Sequence, residues 1–197
     1  VINGGAGNDN ISDSAGTDTM NGGAGNDTIS TIDYLDTIDG GADLDILNID
    51  WFDEVTGVTV DFTALWSGGT VAVGSGSVTG IERLNSVTLT THNDTFTVGV
   101  GHSFGVSLST QAGDDVVVGG DGNDTISLGD GTDTANGGAG NDNMSGNNGD
   151  DVLTGGAGGD SMIGGDGVDL LNGGLDNDYL QGGNQNDVLN GDEGTDT

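Results

Sequence analysis

The chain has 197 residues, enough for one or two domains, and carries 33 acidic groups against a single basic residue, Arg83, for a formal charge of −32. A surface this acidic repels nucleic acid and anionic membrane, which excludes both as direct targets, and no apolar run approaches the length of a membrane span. With only 31% hydrophobic residues and 42 glycines, the composition alone would describe a disordered acidic segment. Proline is absent, however, and the acids recur at a fixed phase instead of clustering. A solvated tail has no reason to do that. With no cysteine in the chain, disulfides cannot hold it together, and a metal is the obvious substitute.

Val1-Ile2-Asn3 reads as the strand end of a preceding repeat, and the chain closes in mid-repeat too. A piece of something longer is expected, so missing targeting signals carry no meaning. Five blocks of nine residues follow over 1–48: GGAGNDNIS from Gly4, DSAGTDTMN from Asp13, GGAGNDTIS from Gly22, TIDYLDTID from Thr31 and GGADLDILN from Gly40. Their sixth places hold Asp9, Asp18, Asp27, Asp36 and Asp45, and their eighth places Ile11, Met20, Ile29, Ile38 and Leu47. The fourth block has lost its glycines, so an ion site near Tyr34-Leu35 is the weakest of this set.

From 49 to 109 the period breaks. Both tryptophans and all four phenylalanines fall here, and apolar residues alternate instead: Val58, Val60, Phe62; Val71, Val73; Val87, Leu89; Phe96, Val98, Val100. Spacing of two with Thr and Val enrichment predicts half-buried strands. Asn93-Asp94-Thr95-Phe96-Thr97 restores half of a repeat. This spacer is expected to continue the same stack as wider coils or a short β-layer. A separate globular domain is the alternative, small for an independent fold without a staple.

From 110 to 197 nine blocks and a partial tenth run without a slip, from TQAGDDVVV to GGNQNDVLN. Place six is Asp every time: Asp115, Asp124, Asp133, Asp142, Asp151, Asp160, Asp169, Asp178, Asp187 and Asp196. Place eight is always apolar, from Val117 to Leu189, and glycine dominates places one, two and four. A fixed period decides architecture before local propensity does.

The array resembles the RTX (repeats-in-toxin) nonapeptide GGxGxDxUx, a calcium-binding β-helix repeat. The resemblance implies an all-β fold, a parallel β-roll in which each block is a turn (GGxGxD) and a short strand (xUx), and two blocks make an 18-residue coil. The spacer resembles units that interrupt such arrays in large bacterial exoproteins.

Elementary chemistry agrees with calcium. Place eight points inward and builds a thin column, too narrow to offset the ordering of so many glycines. Sixth-place carboxylates two blocks apart, such as Asp124 and Asp142, would stack roughly 4.8 Å apart and repel. Ca²⁺ between turns turns that repulsion into cross-linking, because it accepts six to eight oxygens in irregular geometry. The sixth-place aspartates supply charge. Glycines at places two and four (Gly5, Gly7, Gly23, Gly25, Gly120, Gly122, Gly138, Gly140, Gly156, Gly158, Gly165, Gly167, Gly174 and Gly183) let the backbone aim carbonyl oxygens at the ion. Place-five asparagines (Asn8, Asn26, Asn123, Asn141, Asn177, Asn186) are expected to support the turn. Roughly ten or eleven ions follow from the stacked pairs, about +22 against the acidic excess. Zn²⁺ fits poorly with no Cys and only His92 and His102, and Mg²⁺ demands tighter octahedra.

Other motifs carry less. Gly101-His102-Ser103-Phe104-Gly105 matches the nucleophile elbow GxSxG, but it runs into alternating residues instead of a helix, and no His follows it. HExxH is absent. His92 reads as a surface or turn residue, and Arg83 as the partner of Glu82 or Asp94. Ice binding would need a flat Thr/Asn rank, whereas places three and five are mixed.

The expectation is therefore a non-enzymatic, calcium-stabilised structural β-roll. By the resemblance it would belong to a secreted or cell-surface bacterial protein of adhesin, surface-layer or filament type, exported unfolded by type I secretion and folding on Ca²⁺ outside. Head-to-tail self-association is a further expectation, from unpaired strand edges. The alternative is a calcium-dependent folding and secretion module of an enzyme or toxin whose catalytic part lies elsewhere.

Overall fold

The structure is a computed structural model that describes residues 1–13, 15–52 and 54–197. It is a parallel β-solenoid in which strands pair with strands one coil later, so that Met144 lies beside Met162 and Leu153 beside Leu171. Among the described residues the helical content is one 3-10 turn, Leu65–Ser67.

Alternate strands build two walls. One wall is a single nine-stranded sheet: Asn10–Ser12, Thr28–Thr31, Ile46–Asp50, Arg83–Thr88, Ser107–Ser109, Thr125–Asp130, Asn143–Asn148, Ser161–Asp166 and Tyr179–Asn184. It passes through the spacer without a break. The other wall is split. Ile2–Ala6, Thr19–Ala24 and Thr37–Ala42 pair on to Gly76–Thr79, which turns back as an antiparallel hairpin with Val71–Val73. A second, seven-stranded sheet starts at Thr59–Asp61 and runs through Thr95–Thr97 and Val116–Asp121 to Val188–Glu193.

The strands of the second array are longer than the three-residue xUx expected. Most run six residues, such as Val152–Ala157, and take in the glycine pair of the next block. The reason lies in place two, where Gly120, Gly138 and Gly156 hold φ of 126°, 112° and 117°. Only glycine enters that mirror of the extended region freely, and there the lateral ladder continues past the apolar residue. Gly138 accordingly pairs with Gly156.

The eighth-place residues form the inner column, buried from Ile11 to Leu171, with Leu180 partly covered and Leu189 43% exposed. Of the alternating residues expected to be half-buried strand positions in the spacer, Val58, Val60, Phe62, Val71, Val73, Val87, Leu89, Phe96 and Val98 are buried. Val100 is not. It is 70% exposed, because Val100-Gly101 is a turn and not a strand end.

The spacer also shifts the register. Leu84 pairs with Leu47 and Val87 with Ile49, leaving Asn85 as an extra residue, a β-bulge. Val87 then aligns with Leu108 and Ile126, while Ile49 aligns with Thr31. The place-one column of the first array thus becomes the place-eight column of the second.

Candidate metal centre

The sixth-place aspartates form two ladders, one beneath each wall. Each donates its backbone N–H to Oδ1 of the aspartate one coil later. Asp124 donates to Asp142, Asp142 to Asp160 and Asp160 to Asp178, each at 2.8 Å, and Asp178 to Asp196 at 3.0 Å. Asp115, Asp133, Asp151, Asp169 and Asp187 are joined in the same way at 2.8–3.0 Å. In the first array Asp9, Asp27 and Asp45 are linked at 2.8 Å, as are Asp18 and Asp36.

The second carboxylate oxygen is what makes this a candidate ion site. Oδ2 of Asp9, Asp27, Asp45, Asp115, Asp124, Asp133, Asp142, Asp151, Asp160, Asp169 and Asp178 is buried without a hydrogen-bond partner. A buried acceptor left unanswered costs about 1–3 kcal/mol, and more when charged. Except at Asp115 and Asp133, whose blocks open on Thr110 and Leu128, each such Oδ2 faces the first glycine of its own block. A Cβ on Gly155 would lie 2.7 Å from the carbonyl oxygen of Gly173 and closer still to Oδ2 of Asp160; Gly146 meets Gly164 and Asp151 alike. Place-one glycine is therefore required by space: its missing side chain leaves a cradle lined by a carboxylate and a carbonyl of the next coil. All these donors are hard oxygens on flexible backbone, the set that suits Ca²⁺ and not Zn²⁺. When bound, the ion supplies the positive charge that the aspartates lack.

The glycines expected to shape the turns adopt the conformation required. At places two and four, Gly5, Gly7, Gly23, Gly25, Gly120, Gly122, Gly138, Gly140, Gly156, Gly158, Gly165, Gly167, Gly174 and Gly183 have φ between 108° and 150°. Every non-glycine residue with positive φ among the described residues also sits at place two or four: Asp43, Gln111, Asn147, Asp176, Gln185 and Asp192. The place-five side chains brace the turn from the other direction. Oδ1 of Asn123 accepts the Asn141 N–H at 2.9 Å, and Oδ1 of Asn141 accepts the Gly159 N–H at 2.8 Å. Adjacent places thus bond towards opposite ends of the stack.

Burial is the main cause of the ladder's electrostatics. It pushes the carboxyls of Asp115, Asp124 and Asp151 up to about 7 and that of Asp160 to about 6, with neighbouring carboxylates adding to the rise. The backbone N–H each accepts works against that rise. Asp45, Asp133, Asp142 and Asp169 move upward for the same first reason.

One expected site differs from the rest. Oδ2 of Asp36 is taken by the Thr31 hydroxyl at 2.6 Å, since Thr31 stands where the repeats have glycine. Asp18, Asp187 and Asp196 are only half-buried.

Sequence reasoning missed how the ladders cross the spacer. Asp45 donates to Oε2 of Glu82 at 2.9 Å, Val58 to Oδ1 of Asp94 at 2.7 Å, and Asp94 to Oδ1 of Asp115 at 2.7 Å. Glu82-Arg83-Leu84 keeps the acid-x-apolar spacing of a repeat, a signal that could have found it. Arg83 pairs with neither acid, because the ladder already occupies both. Its guanidinium reaches Asn85 at 3.4 Å and lies 5.4 Å above the Phe104 ring. His102 is buried, with Nε2 accepting the Leu84 N–H at 3.0 Å, so it serves as a neutral rung and not as a zinc ligand. Burial lowers it to about 4, which keeps it neutral. His92 is exposed in a bend. Gly101–Gly105 leads into the strand Ser107–Ser109, so the GxSxG match lacks the helix an elbow needs.

Four stretches of the chain, 1–29, 107–135, 127–162 and 163–197, match the family model of the RTX calcium-binding nonapeptide repeat. A search of curated proteins returned no match. The matched stretches take in most of the first three blocks and the whole second array, where the orphaned Oδ2 atoms are densest. The fold is the structural calcium-binding β-roll, and the chain belongs to the RTX calcium-binding nonapeptide-repeat family.

Proposed function

We propose that this segment is a rigid, calcium-set rod in a secreted or cell-surface bacterial protein of adhesin, surface-layer or filament type. The observation that carries the reading is the length of the orphaned Oδ2 ladder. It spans Asp9 to Asp45 in the first array and Asp115 to Asp178 in the second, and backbone-to-side-chain bonds to Glu82, Asp94 and His102 carry the stacking into the spacer between them. A charge-dense interior of this kind folds only where calcium is plentiful, since metal binding and folding are then one event. RTX repeats occur in proteins exported by bacterial type I secretion, which fits a chain that stays unfolded inside and sets outside.

In the proposed sites the sixth-place aspartates give Oδ2 and the glycine corners give carbonyl oxygens. The two arrays, 1–48 and 110–197, hold the ions, while 49–109 joins them. Head-to-tail contact would use the outer edges of Ile2–Ala6 and Val188–Glu193.

Far-ultraviolet circular dichroism and small-angle scattering, with calcium and with EGTA, test this. The β signal should appear only with calcium, together with a rod of about 4.8 Å rise per coil. A spectrum indifferent to EGTA sinks the proposal. A catalytic domain in the flanking sequence would turn it towards an export module.

A further inference from the structure

Five times an asparagine at place nine is followed by glycine at place one: Asn3-Gly4, Asn21-Gly22, Asn136-Gly137, Asn172-Gly173 and Asn190-Gly191. All five fall on the split wall, in the strands Ile2–Ala6, Thr19–Ala24, Thr134–Ala139, Leu170–Leu175 and Val188–Glu193. On the unbroken wall the same place holds Ser127, Ser145, Ile163 and Gln181. Glycine has no Cβ to hinder its nitrogen, which can therefore attack the side-chain amide carbon of the asparagine before it. The new C–N bond expels ammonia and closes a cyclic imide. Water then opens the ring at either carbonyl, leaving aspartate or isoaspartate. Nothing is oxidised or reduced, and water is the only co-reactant.

The solenoid withholds this reaction where a strand lies on each side. Asn21 pairs with Asn3 and Asp39, Asn136 with Val118 and Thr154, and Asn172 with Thr154 and Asn190. Extended backbone fixed in a two-sided ladder cannot rotate to bring the glycine nitrogen onto the side chain, and Gly22, Gly137 and Gly173 are themselves buried. Two of the amides are also tied sideways. Nδ2 of Asn190 donates to Oδ1 of Asn172 at 2.8 Å, and Nδ2 of Asn21 to Oδ2 of Asp39 at 3.4 Å.

The product would strike the cradle. Gly22, Gly137 and Gly173 are place-one glycines, whose missing Cβ leaves room for Oδ2 of Asp27, Asp142 and Asp178. Isoaspartate routes the main chain through the side-chain carbon, so an extra backbone atom enters just before that glycine and the ladder falls out of step. We propose that Asn21, Asn136 and Asn172 are modification sites gated by folding, closed in the stacked solenoid and open in the unfolded chain, and that isoaspartate there bars the coil from restacking. The chain thus has a limited time in which to fold. That calcium closes the gate rests on the calcium reading of the repeats; the gate itself rests on the Asn-Gly pairs and the ladder.

The whole chain is aged at mildly alkaline pH with calcium, with EGTA, and in unfolding urea, and peptide mass mapping reads aspartate and isoaspartate at each site. All three sites should convert in urea and in EGTA, and about tenfold or more slowly with calcium alone, because the ladder must open first. Equal rates with calcium and in urea overturn the proposal, as does conversion in urea no faster than at Asn143, which precedes Met144. A circular dichroism spectrum that EGTA leaves unchanged sinks the calcium reading instead, and the urea arm then decides on the gate alone. Calcium is finally restored to the EGTA-aged chain. Its β signal should return only in part, and more fully in the Asn21→Ser, Asn136→Ser, Asn172→Ser variant, each chain being compared with its own fresh sample. Equal recovery overturns the bar to restacking. If the fresh variant does not fold, the aged wild-type chains are separated into refolded and unfolded fractions. Isoaspartate at the three sites should be concentrated in the unfolded fraction, and an even distribution overturns the same point.

Discussion

Between Thr110 and Asn190 the interior is one side chain wide, and its second column is glycine and aspartate. Between Ile49 and Ser109 it is filled with rings: Trp51, Phe62 and Phe96 are fully buried, and Phe62 lies 5.4 Å from Phe96 and 6.5 Å from Trp66. The same two-walled stack is thus held by two different forces. In the array, repeated turns hold carboxylates inside and leave one oxygen of each unanswered. In the spacer, Thr90 answers Asp94 with its hydroxyl and its N–H, both at 3.0 Å, and apolar area does the rest. Ions can stand in for a hydrophobic core only where the backbone repeats closely enough to build the same cradle many times.

The comparison breaks most sharply at Phe96. Phe96→Ala should destabilise the protein by about 3–5 kcal/mol, as truncation of a buried ring does. Thermal unfolding at saturating calcium measures it; a loss under 1 kcal/mol would mean the rings do not hold the spacer.

Protons probe the array. Asp115, Asp124 and Asp151 titrate near 7 in the folded state against an ordinary 3.8, so the folded chain binds more protons than the unfolded one between those values. For the metal-free chain, the stability these groups contribute is full below pH 3.8 and is lost as pH rises through 7. The unfolded chain and the calcium-bound chain both hold these carboxyls ionised well above 3.8, so the calcium midpoint for folding from the unfolded chain should change by less than about twofold between pH 8 and pH 6. Calcium titrations at the two pH values check this, and a midpoint that rises about tenfold per pH unit would mean that the metal-free chain is already folded and protonated.

The smallest effect concerns a turn. Gln185 sits at place four with φ of 77°, where the coil before it has Gly167. Gln185→Gly should stabilise the calcium-bound form by about 1 kcal/mol, because left-handed backbone costs that much for a residue with a Cβ. Denaturant unfolding would show it, and a destabilised variant would mean the Gln185 side chain matters more than its backbone; Oε1 accepts the Gly167 N–H at 3.2 Å.

Much of this was legible in the sequence because the repeat period and the coil length agree. Asp at every ninth residue states which groups stack, and the apolar eighth place states what faces in. The burial of Ile126, Met144 and Leu153 follows directly. What stayed hidden is non-local. The acid-x-apolar spacing of Glu82-Arg83-Leu84 hints at a repeat, but nothing local says that its rung follows Asp45, 37 residues earlier, or marks His102 as the acceptor for Leu84. Arg83 invited an ion pair because it is the sole basic side chain, yet both nearby acids were already committed to backbone N–H groups.

The extra residue at Asn85 has a mechanical consequence. It changes the pairing offset by one residue at the place where the columns of the two arrays stand two places apart, and it acts as a dislocation does in a crystal: slip or unzipping that travels from either end meets a fault where the columns no longer line up. The aromatic filler pins that fault. Pulled from its two ends, the chain should give way in two separate extensions, one for each side of the fault, with the pinned segment the last to yield.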